Sequence, residues 1–89
     1  MPELSRFHGI VIRMFWEPSG RHHRPHFHAF YQDDAVSIAI DTIEPMAGAL
    51  PRRQQRLVEA WAELHQRELL EAWQAMVAEQ PFRRIDPLE

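Results

Sequence analysis

The chain has 89 residues, a formal charge of −3 and a pI near 6.0, with 45% hydrophobic and 26% charged residues. That balance describes a single folded domain rather than a disordered chain, and one small enough that a homo-oligomer is the expected state. The absence of cysteine excludes a disulfide framework and a thiolate zinc site, so any divalent metal must be held by nitrogen and oxygen. No run of about 18 apolar residues occurs and the N-terminus has no signal-peptide pattern, which points to a cytoplasmic protein without a membrane span. The acidic balance argues against simple electrostatic nucleic-acid binding, although a local phosphate contact stays open.

Residues 7–16 (FHGIVIRMFW) form a β-branched and aromatic run, with Ile10, Ile12, Met14 and Trp16 on one face and Val11, Arg13 and Phe15 on the other. This pattern predicts one strand. The segment 17–25 (EPSGRHHRP) carries two prolines, a glycine and a serine and reads as a loop. Pro25 pushes Arg24 toward an extended conformation, so a second strand is expected over 26–31 (HFHAFY). Gln32, Asp33 and Asp34 make a polar turn, and 35–41 (AVSIAID) alternates with Val36, Ile38 and Ile40 on its apolar side. These strands predict an antiparallel meander. A fourth strand within 42–50 (TIEPMAGAL) would be confined to an edge by Pro45.

Pro51 suits a first helical position, and neither proline nor glycine follows until Pro81. Val58, Ala62, His65, Leu69, Ala72 or Trp73, and Met76 recur at three- to four-residue steps, while Leu57, Trp61, Leu64 and Val77 widen the stripe. An unbroken helix here would span roughly 43 Å at about 1.5 Å per residue. It must therefore kink near His65–Glu68 or overhang onto a second copy. The tail 81–89 packs extended through Phe82, Ile85 and Leu88. The expected fold is α+β: a small antiparallel sheet of three to four strands followed by one long or kinked amphipathic helix.

Taken together, SRFHGIVIRMFW, PHFHA, the strand ending IDTIE, LPRR, WAELHQRELLEAW and FRRIDPLE resemble a bacterial family known as domain of unknown function 4160. The resemblance covers nearly the whole chain. It implies a small α+β protein, frequently encoded beside another short protein and so suspected in toxin–antitoxin-like gene pairs, with no established activity. The loop Arg21, His22, His23, Arg24 is more basic and histidine-rich than that pattern.

Strand alternation places His26, His28 and Phe30 on one face. His26 and His28 are candidate divalent-metal ligands, with His22, His23, Asp33, Asp41 or His65 to complete the set. Without metal they are candidate general acid and base groups, as in metal-free ribonucleases, with Arg13, Arg21 or Arg24 to stabilise a phosphorane-like state. An adventitious surface cluster is the plainer reading.

Arg52, Arg53 and Arg56 stand in the first two helical turns, where the macrodipole disfavours cations. They and the loop arginines Arg21 and Arg24 are candidates for binding phosphate or a partner's carboxylates; the alternative is neutralisation of the helix-start group by Glu44, Asp41 or Glu59. His65 reads as a core histidine with one backbone partner. Trp61 and Trp73 read as packing anchors, and Glu59, Glu63, Glu68 and Glu71 as a solvated face. Two functions follow: an interaction module, within a two-gene unit, that binds a small partner protein or nucleic-acid phosphate, or an RNase-like toxin using His26 and His28.

Overall fold

The structure is a computed structural model and describes residues 3–15 and 24–89. Five strands form one antiparallel sheet in sequence order: β1 (Glu3–Phe7), β2 (Ile10–Arg13), β3 (His26–Tyr31), β4 (Asp34–Ala39) and β5 (Pro45–Gly48). Two helices follow, α1 (Arg52–Leu64) and α2 (Gln66–Val77). The α+β class and the meander agree with expectation, whereas the strand count and the single helix do not.

The extra strand arises because the run over 7–16 is interrupted. His8 and Gly9 take φ of 50° and 77°, and Phe7 pairs with Ile10 across them. Two consecutive positive φ values make the tight hairpin whose twist matches the flanking strands. Apolar residues on both sides of His8–Gly9 disguise this turn in the sequence. The next hairpin closes at Tyr31 and Asp34, with Gln32 at φ 53°. Edge strand β5 begins at Pro45, where a missing N–H is tolerated. Gly48 lies at φ 74°, and a Cβ there would fall 2.3 Å from the Ala35 carbonyl oxygen, so the β4–β5 approach requires glycine.

Register places Ile12, Ala29 and Val36 in one row and Phe27 beside Ile38. These side chains are buried and face the helical layer, with Ile10, Met14 and Ile40 equally enclosed. Trp61 anchors α1 against this face, its ring 5.4 Å from Phe7 and 5.8 Å from Phe27. Its indole N–H donates to the Asp86 carbonyl at 2.8 Å. The tail is held at β1 by Ile85 N–H donating to Leu4 O at 2.8 Å and by Arg84 pairing with Glu3 at 2.7 Å.

The helix breaks at His65, which takes φ −118° and ψ 23°. A straight helix of roughly 43 Å at about 1.5 Å per residue would outrun the longest dimension of the molecule, 33 Å. Bending lets both Trp61 and Leu69 bury completely. The elbow is pinned where the Gln66 side-chain amide donates to the carbonyls of Ile40 at 2.8 Å and Asp41 at 3.1 Å. Bending also strands two residues assigned to the apolar stripe: Leu64 is 71% exposed and Val77 49%. His65 is half-buried, and its Nδ1 meets the Glu68 carboxylate at 2.7 Å instead of a backbone group.

Candidate functional site

The face of the sheet opposite Phe27 and Ile38 carries Arg13, His28 and Ser37 in one register row. Strand alternation and this register bring together the predicted Arg13 and His28. Phe15 stacks on the His28 imidazole with centroids 4.1 Å apart and planes at 11°. His28 Nδ1 lies 3.2 Å from the Ser37 hydroxyl oxygen. His26 stands edge-on to His28 at 5.1 Å, so the two imidazoles share a face as the i, i+2 spacing predicts.

Their environments differ. His26 is 9% exposed, its ring lies 5.2 Å from Trp73 on α2, and its Nδ1–H donates to the Arg24 carbonyl at 2.8 Å. A carbonyl accepts only, so this bond assigns the Nδ1 proton and makes the ring a packing element. His28 is half-buried between Phe15 and the strand neighbours. Among the described residues no group of three or more His, Asp or Glu side chains is placed to hold a metal. Asp41 and His65, two of the suggested further ligands, are paired with Arg24 and Glu68. His22 and His23 lie outside the described residues.

Arg24 is committed elsewhere. Its Nε and Nη2 reach one oxygen of Asp41 at 3.1 and 2.9 Å, and Nη2 also reaches the Thr42 hydroxyl at 3.1 Å. The hydrogen bond from Arg24 holds the Asp41 carboxyl below the usual carboxylate range, with its charge and the Thr42 N–H adding to the effect. This clamp steadies a turn in which Ile43, a β-branched residue, sits at φ 55°. Arg21 lies outside the described residues.

The helix-start arginines differ again. Pro51 precedes α1 with no side-chain cap, and the first turn contains no acidic residue. Arg52, Arg53 and Arg56 are exposed and make no ion pair within the described residues. Of the three acids expected to neutralise them, Asp41 takes Arg24, Glu59 accepts from the Gln55 amide at 3.0 Å, and Glu44 makes no ion pair among the described residues. Gln55 in turn accepts the Leu50 N–H at 3.2 Å. Three guanidinium groups thus project from the outer side of α1 beside an uncapped helix end.

Grooves lined by described residues lie elsewhere. One of about 470 Å³ runs between α2 and the tail, its lining including Glu68, Glu71, Arg83 and Arg84. Another, about 340 Å³, has a floor of Pro25, Ile40 and Leu70 beside Gln66. Neither takes in His26, His28 or Arg13. No described helix is long and apolar enough to cross a membrane.

Fold and surface together define a small α+β protein: a five-strand meander backed by a bent helix pair, with a basic patch where the helices begin. The chain belongs to the family described as domain of unknown function DUF4160, whose model matches residues 9–74. The match spans β2 to most of α2 and therefore holds His26, His28 and the three helix-start arginines. It leaves out β1 and the tail, the two segments joined by Leu4–Ile85 and Glu3–Arg84. No curated protein and no solved structure matches the chain.

Proposed function

We propose that the protein is an interaction module, one component of a two-gene toxin–antitoxin-like unit, that docks a small partner protein by taking the partner's carboxylates on Arg52, Arg53 and Arg56. The observation carrying this reading is the exposed trio of guanidinium groups, without an ion pair among the described residues, on an uncapped helix start. Arg52 and Arg53, in the first turn, each cost about 0.3–1 kcal/mol against the helix macrodipole, and Arg56, one turn on, less. Such a cost persists where a docked anion offsets it, and charge-assisted bonds to carboxylates do so. An overall charge of −3 favours a protein partner over the phosphate backbone of a nucleic acid, which repels the remaining surface.

The RNase-like alternative has in its favour the placement of Arg13 opposite His28. Against it, His26 has one nitrogen committed to a backbone carbonyl and its ring packed on Trp73.

The test is capture of the neighbouring gene's product by the full chain. The triple variant Arg52→Gln, Arg53→Gln, Arg56→Gln is expected to lose at least about tenfold in affinity while its melting temperature holds or rises, because unfavourable dipole contacts are removed. Unchanged affinity in the triple variant overturns the reading. Binding of single-stranded RNA that disappears in the same variant would assign the arginines to phosphate. Growth arrest that depends on His28 would favour the enzyme.

A further inference from the structure

The exposed positions of α1 are Arg52, Arg53, Arg56, Ala60, Glu63 and Leu64. At 100° per residue they fall on one outward stripe, opposite the buried Val58, Trp61 and Ala62. The stripe is graded along its length, cationic at its start and acidic and apolar at its end. It is also complementary to itself in reverse. Turned end for end about position 58, Arg52 falls on Leu64, Arg53 on Glu63 and Arg56 on Ala60.

We infer that this outward face of α1 is a two-fold interface with a second copy of the chain, in which Arg53 of each copy pairs with Glu63 of the other. This rests on the reading of the helix-start arginines as carboxylate binders and names the first carboxylate that they take. A two-fold contact between antiparallel helices uses the same patch on both sides, so every pairing occurs twice. Ala60, the smallest side chain of the stripe, lies next to the axis and lets the helices approach closely. The aliphatic stem of Arg52 covers Leu64 of the second copy, the most exposed large apolar side chain among the described residues. Each Glu63 is the acid that the α1 start lacks. A single helix pair lies at the small end of interface sizes, below about 1,200 Å², so the dimer is a concentration-dependent one. Because the same guanidinium groups serve both, the dimer and the complex with the partner protein exclude each other.

The experiment is sedimentation of the full chain through a micromolar concentration series, with Arg53→Glu, Glu63→Arg and the double reversal. Wild-type protein dimerises, more weakly as salt is raised. Each single reversal turns two attractive pairs into two like-charge contacts and weakens the dimer by at least about tenfold, and the double reversal restores it to within about threefold. A second readout uses the cysteine-free background: Arg52→Cys with Leu64→Cys lie about 18 Å apart within one chain, too far for an internal disulfide, and oxidise to a covalent dimer. Wild type that stays monomeric throughout, or a double reversal that fails to restore what the single ones lose, overturns the inference. If the dimer ignores both single reversals while Arg52→Gln, Arg53→Gln, Arg56→Gln still loses the partner protein, this pairing is wrong and the carboxylate-binding reading stands.

Discussion

His26 lies edge-on to His28 at 5.1 Å, yet its Nδ1–H is given to the Arg24 carbonyl at 2.8 Å and its ring is packed beside Trp73. Two imidazoles that share a strand face therefore have unequal roles. His26→Ala removes a buried ring and orphans a carbonyl, which destabilises by about 2–4 kcal/mol. Thermal or urea unfolding measures this directly. A His26→Ala protein as stable as wild type would return His26 to the list of functional groups.

Trp61 links α1 to the tail through its bond to Asp86. Trp61→Phe keeps the contact with Phe7 and Phe27 but leaves the Asp86 carbonyl without its donor, at a cost of about 1–3 kcal/mol. The tail should then open first, so that hydrogen exchange at the Ile85 amide, bonded to Leu4, accelerates more than exchange in β3. Uniform acceleration across the sheet would count against the tail being a separate unit.

The Arg24–Asp41 clamp predicts a direction with pH. Asp41 is held below its ordinary range in the folded state, chiefly by the hydrogen bond from Arg24. Its contribution is therefore present above the unfolded carboxyl's pKa and disappears as pH falls through the lower folded value. The same sign applies to Glu3, lowered first by its bond from Arg6 and then by the charges of Arg6, Arg84 and Arg13. Carboxyl NMR of Arg24→Ala should show Asp41 titrating at higher pH than in wild type, with Glu3 unmoved. An unmoved Asp41 would mean that the clamp is open in solution.

Ser5 sits in the core, 1% exposed, and its hydroxyl has no hydrogen-bond partner among the described residues. A buried unsatisfied hydroxyl costs about 1–3 kcal/mol, so Ser5→Ala should raise the melting temperature. Destabilisation by this substitution would reveal a partner for the hydroxyl.

Local periodicity by itself determined much of this protein. The alternation of Val36, Ile38 and Ile40, and of Ile10, Ile12 and Met14, marked core faces that are buried. Pro45 marked an edge, and Pro51, expected at the first helical position, marked a helix that begins one residue later. The shared face of His26 and His28, and an arginine-rich helix start, were also legible, because strand and helix repeats follow from backbone geometry alone.

Other features needed the tertiary structure, since they depend on contacts far apart in sequence. The turn at His8–Gly9 interrupts no hydrophobic pattern, and between the kink near His65–Glu68 and the overhang that helix length left open, only the fold decides for the break at His65. Each is decided by what the chain must cover: β1 meets the tail at Ile85, and the elbow meets the segment just after β4 through Gln66. The surroundings of the candidate residues come from such contacts too. Asp41, distant in sequence, takes Arg24, and Trp73 encloses His26. Arg52, Arg53 and Arg56 remain outside because no acid among the described residues reaches them, a fact about where the folded chain places its carboxylates that no helical repeat records.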